Sequence, residues 1–166
     1  DHAGRGVLPR RAYANHRGYP GICRVAVLRL DHIAQRHRPD RVKKTGILNA
    51  ELAHVVATLG HGQMLVVGDT GLPVPPGVPC IDLAVSLGVP RFWDVLDAVL
   101  TEMEVERAVI ASEAGSAVVA AFEARFPVEA VSHEALKEMS GSAVAVVRTG
   151  EVVPYTNVVL VSGVPF

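Results

Sequence analysis

The chain has 166 residues, enough for one domain with a sizeable core, and carries a net charge of −1 with 49% hydrophobic and only 5% aromatic residues. No apolar run approaches the length needed to cross a bilayer, and no basic stripe of the kind nucleic acid selects runs through the acidic main body. With so few aromatics, the core must be filled by Val, Ala, Leu and Ile, which suits buried strands covered by Ala-rich helices.

The charge is unevenly spread. Residues 1–41 carry nine arginines against Asp1, Asp31 and Asp40, for +6, whereas residues 42–166 carry seven Lys/Arg against fourteen Asp/Glu, for −7. The first stretch also holds four of the seven histidines, no serine and no hydrophobic period. A basic arm that binds nucleic acid or lipid is one reading of it. Composition supports the other, a basic N-terminal extension that is disordered or extraneous to the domain. Its apolar patch, Ile22 to Leu30, is broken by Arg24 and Arg29 and is too weak for a secretory core. Ordered patterning starts at Val42, which sets the domain at 42–166. Cys23 and Cys80 match no metal or redox spacing, and Cys80 reads as a small buried hydrophobe. A reduced, cytoplasmic setting follows.

Asn49 is a good helix N-cap, and Leu52, Val55, Val56 and Leu59 recur at the spacing of one buried helix face that ends at Gly60. Met64 to Val67 is the first strand. After a Pro-rich loop, Cys80 to Val85 reads as a short strand passing into a turn. A helix is predicted from about Arg91 to Met103, with Phe92, Val95, Leu96, Val99 and Leu100 inward, and Glu102, Glu104 and Glu106 as a solvated rim. Ala108 to Ala111 is a strand, Glu113 to Arg125 a helix ended by Pro127, and Val128 to Val131 a further strand. Ser132 caps a helix that begins at His133. Ala143 to Val147 and Val152 to Val161, joined by a turn at Arg148, suggest a closing hairpin. The expected fold is a layered α/β/α domain whose mixed, mostly parallel sheet has about six strands.

The stretch Gly60 to Pro73 has the layout of a site. His61 lies in a Gly-His-Gly turn and Asp69 in a Gly-Asp-Thr-Gly-Leu-Pro turn, so two ionisable groups bracket one buried strand where glycine lets the backbone bend. His133 falls just inside a helix N-terminus, with Lys137 one turn further on the same face. Tyr155 and Asn157, two apart on a predicted strand, would point the same way and form a polar patch that a bound polyol could satisfy. A hydrogen-bonded strand edge accounts for that pair equally well. His54, close to the buried face of its helix, reads as structural.

Rival motifs fare worse. Asp69-Thr70-Gly71 resembles the Asp-Thr-Gly of aspartic proteases, but no second copy exists and the predicted helices contradict an all-β enzyme. Gly60-x-Gly62 lacks the third glycine of a dinucleotide site and precedes a strand instead of a helix. His54, His61 and Asp69 have no established metal-ligand spacing, so no metal is expected.

As an ordered set, several motifs are specific: Val42-Lys-Lys-Thr-Gly-Ile-Leu-Asn49, Leu59-Gly-His61, Asp69-x-Gly-Leu-Pro73, Ile81-Asp82, Gly88-Val-Pro90, Thr101-Glu-Met-Glu-Val-Glu106, His133-Glu-x-x-Lys137 and Tyr155-Thr156-Asn157. In this order they resemble the D-ribose pyranase family, part of a larger group that includes fucose mutarotase. The resemblance covers residues 42–166 and none of 1–41, and it puts Val42 at the position of the family's initiator methionine. It implies interconversion of the pyranose and furanose rings and anomers of D-ribose, without a cofactor, by a cytoplasmic ring-shaped homo-oligomer, a pentamer or a decamer of two pentamers. On the same resemblance His61 matches the proton donor. Asp69, His133, Tyr155, Thr156 and Asn157 match the sugar-binding positions, and Lys137 is grouped with them. Two departures stand out: Thr70 replaces the family's usual alanine, and the segment between Glu113 and His133 is shorter than in longer members. Thr70 would narrow the pocket or add a hydroxyl near the sugar. A mutarotase of another monosaccharide such as fucose, or a sugar-binding module without turnover, are the alternatives, although the Gly-Leu-Pro turn and the Tyr-x-Asn run favour ribose.

The chemistry suits these residues independently. Opening a hemiacetal requires a proton delivered to the ring oxygen and one removed from the anomeric hydroxyl, and an imidazole with an unperturbed pKa of about 6.5 can serve either role. Geometry adds a constraint. Five extended residues span roughly 17 Å at about 3.3 Å each, so His61 and Asp69 of one chain can hardly touch the same pyranose. A pocket shared between subunits is expected.

Overall fold

In a computed structural model of the chain, residues 43–166 are described, and the basic extension predicted over residues 1–41 lies outside them. Asn49 caps helix α1 (Ala50–Thr58) as expected, its side-chain oxygen accepting the Leu52 N–H at 2.9 Å. Leu52 and Val56 are buried, Val55 and Leu59 half-buried, and His54 is exposed. Strand β1 (Met64–Gly68) follows, then β2 (Cys80–Asp82), helix α2 (Phe92–Leu100), β3 (Val105–Ala111), α3 (Ser116–Glu123), β4 (Val128–Val131), α4 (His133–Ser140), β5 (Ala145–Arg148) and β6 (Val158–Ser162).

The six strands form one sheet in the order β2-β5-β1-β6-β3-β4. Five run in a common direction, and β6 alone runs against them, paired antiparallel with both β1 and β3. Alternate residues face opposite layers. Leu65, Val67, Ile110 and Leu160 join Leu52, Phe92, Leu96 and Phe122 on the side covered by α1, α2 and α3. Val66, Val109, Val146 and Val159 join Leu72 and Leu136 on the side covered by α4. The expected α/β/α layering with a mixed sheet is what the chain adopts.

The closing hairpin does not form. β5 pairs with β1 and β2, β6 pairs with β1 and β3, and so β1 lies between the two strands predicted to be partners. The turn after Arg148 is instead pinned to β1: Thr149 donates both its N–H and its hydroxyl to the Gly68 carbonyl, each at 2.9 Å. Residues 149–157 then cross the carboxyl end of β1 to its other side. A turn signal between two apolar runs is the same for both routes, so the pattern alone cannot separate them.

Other boundaries moved for local reasons. β2 stops at Asp82, whose carboxylate turns back to accept the Ala84 N–H at 3.1 Å and pairs with Arg148. Cys80, expected to be buried, is only half-buried at the start of that edge strand. Val152 to Asn157 is irregular rather than strand, because Pro154 lacks an N–H and Tyr155 takes a positive φ of 61°. Among the described residues, no helix is long and apolar enough to cross a membrane.

Among the described residues, Phe92, Trp93, Phe122 and Phe126 form one aromatic cluster. Phe122 is fully buried, edge-on to Phe92 and Trp93 with ring centroids at 5.6 and 4.8 Å, and Arg125 lies 4.7 Å over the Trp93 ring. Phe122→Ala should lower stability by about 3–5 kcal/mol through lost transfer and a residual cavity. In urea unfolding this would appear as a reduced midpoint at unchanged slope. A loss under about 1 kcal/mol would mean that the site collapses freely.

Candidate active site

The antiparallel seating of β6 against β1 brings residues distant in sequence together. Asp69 follows the last residue of β1 and Asn157 precedes the first of β6, with Val67 paired to Val158 just inside them. Asn157 accepts the Asp69 N–H at 2.8 Å and donates its amide to one Asp69 carboxylate oxygen at 3.1 Å. The other carboxylate oxygen accepts the Gly71 N–H at 2.8 Å. Each oxygen thus keeps lone-pair capacity for a ligand while the carboxylate is held in place. Asp69 is 7% and Asn157 1% exposed. Gly68 is required here: a Cβ on it would lie 2.5 Å from the Leu72 side chain and 2.8 Å from the Asn157 oxygen.

Asp69 and Asn157 form one wall of a cleft of about 260 Å³, completed by Thr70, Glu151, Val152, Pro154, Tyr155 and His133. The cleft lies at the carboxyl ends of the parallel strands, where open α/β sheets offer ligands a crevice. Tyr155 and His133 meet edge to face with ring centroids 5.1 Å apart. Tyr155 and Asn157 do share the cleft, but as parts of a loop: the left-handed Tyr155 leaves its ring partly exposed while Asn157 turns inward.

His133 is positioned by two caps on α4. The Ser132 hydroxyl accepts the Ala135 N–H at 3.2 Å, and the Glu113 carboxylate accepts the His133 N–H through both oxygens, at 3.0 and 2.9 Å. That N–H holds the Glu113 carboxyl below its ordinary 4.5, helped by the Ser112 hydroxyl. The Nδ1 atom of His133 is buried and has no hydrogen-bond partner within the chain.

The remaining sequence-predicted residues lie elsewhere. Thr156 is 1% exposed behind the cleft wall, its hydroxyl unpartnered. Lys137 does not line the cleft, and its ammonium lies 2.5 Å from Glu134. His61 is at the opposite end of β1 from Asp69, 2.7 Å from Glu106. Within one chain these two groups do not converge. Sequence reasoning missed Glu151, whose carboxylate accepts the Val152 and Val153 N–H groups at 2.9 and 3.0 Å, and Glu113. A carboxylate 20 residues from the helix it caps leaves no local signal. Among the described residues, no cluster of three or more His, Cys, Asp or Glu could hold a metal ion.

A small cleft walled by a fixed carboxylate, an amide, an imidazole and a phenol has the donors and acceptors to hydrogen-bond a small, hydroxyl-rich ligand. The chain belongs to the RbsD / FucU transport protein family, which it matches over residues 42–165. It is 53% identical over 133 residues to a D-ribose pyranase of Variovorax paradoxus (strain S110), and 51% identical over 131 residues to one of Symbiobacterium thermophilum. Each alignment covers 75% of this chain and 100% of the relative. The structure of Bacillus subtilis RbsD complexed with D-ribose aligns with a TM-score of 0.71 at 41% identity, over 75% of this chain and 99% of that one. A fucose mutarotase in complex with L-fucose from Streptococcus pneumoniae aligns at 20% identity with a TM-score of 0.58, over 79% of this chain and 99% of that one, a likeness of fold.

Two expectations follow from the hydrogen bonds. Asn157→Ala leaves the buried Asp69 N–H unpaired and should cost about 1–3 kcal/mol in chemical unfolding; an unchanged midpoint would show that another acceptor replaces the amide. A carboxyl with a depressed folded-state pKa stabilises the fold above its unfolded value and loses that contribution as pH falls through the folded one. Hydrogen-exchange protection of the His133 amide should therefore hold at neutral pH and decline on acidification below 4.5. In Glu113→Gln that protection should already be reduced at neutral pH, and equal protection would remove the carboxylate from the cap.

Proposed function

We propose that this chain is a cofactor-independent sugar isomerase that interconverts the pyranose and furanose forms, and the anomers, of D-ribose. The observation that carries the reading is the cleft wall, where the Asp69 carboxylate is anchored by Asn157 and Gly71 yet keeps free acceptor capacity beside His133 and Tyr155. Such a wall orients several hydroxyls at once. The relatives of about 50% identity are D-ribose pyranases, and RbsD of similar fold binds D-ribose, which supports ribose over fucose as the sugar.

His61 is the proton donor in this reading, and Asp69, His133, Tyr155, Thr156, Asn157 and Lys137 are the sugar-binding positions. A proton moves to the ring oxygen and one leaves the anomeric hydroxyl. The bond from C1 to the ring oxygen breaks as the aldehyde forms. Attack on the aldehyde by a different hydroxyl, with the proton transfers reversed, closes the other ring. Preorganised acid–base groups near their own pKa accelerate such steps by about 10²–10⁴-fold.

Because His61 and Asp69 occupy opposite ends of β1, a neighbouring copy supplies the His61 of each cleft. The exposed Val152, Val153 and Tyr155 at the cleft mouth, and Val85, Leu87 and Val89 on the loop bonded to Gly150, offer apolar surface for that neighbour. The assembly is a ring-shaped homo-oligomer, a pentamer or decamer, working in the cytoplasm.

Saturation-transfer NMR between ribose ring forms tests the activity. The protein should accelerate exchange, and His61→Ala should reduce the acceleration by about 10²–10⁴-fold. Binding without acceleration would leave a sugar-holding module, and faster exchange of fucose than of ribose would reassign the substrate. Sharing of the site is tested by reassembling inactive His61→Ala and Asp69→Asn chains together. Mixed oligomers should regain activity at the clefts where both intact groups meet. Mixed oligomers that form but stay inactive would place the whole site within one chain.

A further inference from the structure

We infer that Glu106 is the positioning residue for His61: its carboxylate orients the imidazole and selects the tautomer that faces the sugar. The inference rests on His61 being the proton donor and adds a residue that the sequence marked only as part of a solvated rim and as the end of the Thr101–Glu106 motif.

The first observation is the contact. The His61 Nε2 lies 2.7 Å from a Glu106 carboxylate oxygen, within charge-assisted hydrogen-bond distance. Exposed pairs form easily and contribute little to stability, and both side chains here are more than half exposed, so contact alone would decide nothing. The second observation is how Glu106 comes to point there. In the pairing of β3 with β6, Val105 faces Ser162 and Arg107 faces Val161, so Glu106 is an extra residue at a β-bulge. Bulges redirect a side chain out of the regular alternation, and they concentrate beside functional sites.

The third observation is the path between the two groups. His61 precedes β1 and Glu106 sits on β3, with β6 between them. The carboxylate reaches over the chain just past β6, at Gly163. A Cβ on Gly163 would stand 3.3 Å from both the Cβ and the backbone nitrogen of Glu106, and 3.4 Å from the Glu104 side chain. Glycine at this position leaves the passage open.

The turn that carries His61 is itself fixed. Gly62 donates its N–H to the Ser162 carbonyl at 2.8 Å, and the buried Ser162 hydroxyl donates to the Gly60 and Gln63 carbonyls. Gly60 N–H is held by the Gln63 side chain at 2.7 Å. The backbone bonds therefore fix the turn, and the carboxylate meets the ring. Among the described residues, Glu106 is the acidic group at ion-pair distance from His61, and Glu104, two residues earlier, is the next acid along that chain.

In the neutral ring, the hydrogen bond made by one nitrogen sets the form of the other. With Glu106 taking the Nε2–H, Nδ1 is left as the free lone pair that takes the anomeric hydroxyl proton and then, as the proton donor, delivers it to the ring oxygen. A neutral ring protonated on Nδ1 would instead turn its lone pair, on Nε2, toward the Glu106 carboxylate and away from the sugar. Glu106 needs no contact with substrate to act in this way.

The experiment combines ring 15N chemical shifts of His61 with exchange kinetics in Glu106→Gln and Glu106→Ala. In the unaltered protein the neutral ring should carry its proton on Nε2. Glu106→Ala should shift the 15N pattern toward a tautomer mixture and lower the maximal exchange rate on the order of ten- to a hundredfold, with the ribose KM unchanged. Glu106→Gln retains an acceptor oxygen and should recover part of both signals. An unmoved tautomer signature with a normal maximal rate in Glu106→Ala, while His61→Ala is inactive, would overturn the assignment and leave the functional reading intact. Full activity in His61→Ala would remove that reading and this inference together.

Discussion

The structure depends on one antiparallel insertion. β6 enters between β1 and β3, and its two ends organise two different pieces of chemistry. At its amino end, Asn157 clamps the turn that carries Asp69. At its carboxyl end, Ser162 ties down the turn that carries His61, and the bulge opposite it redirects Glu106. A β6 paired elsewhere would scatter both constellations.

Burial on both faces gives that insertion its stability. Val158, Val159 and Leu160 contribute alternately to the two core layers, so a slip of one residue would exchange the side chains of those layers. Register is consequently well specified, and the polar residues at the ends of β6 inherit its accuracy. A site on a loop gains precision when the flanking strand cannot shift, which is why Tyr155 can keep an unfavourable positive φ.

Separation of His61 from Asp69 along β1 also has a functional sense. In the proposed reading, an acid–base group brought in by a neighbour would make assembly a precondition of turnover. On that proposal, the exposed apolar side chains around the cleft mouth would belong to the site's construction. The chain belongs to the RbsD / FucU family, and relatives of about 50% identity are D-ribose pyranases.

Much of this could be read from the residues alone. Local signals identified all four helices and six strands of the described region, with caps at Asn49 and Ser132, because helix periods and buried apolar runs are encoded within a dozen neighbours. The residues of the cleft, Asp69, His133, Tyr155 and Asn157, were marked by their turns and by the ordered motifs. Three things were decided only by tertiary structure: the place of β6 beside β1 instead of β5, the cap that Glu113 gives to His133, and the partnership of Glu106 with His61. Each joins residues 20 or more apart, and strand order, bulges and long-range caps have no local pattern, since they arise from which surfaces meet once the layers pack.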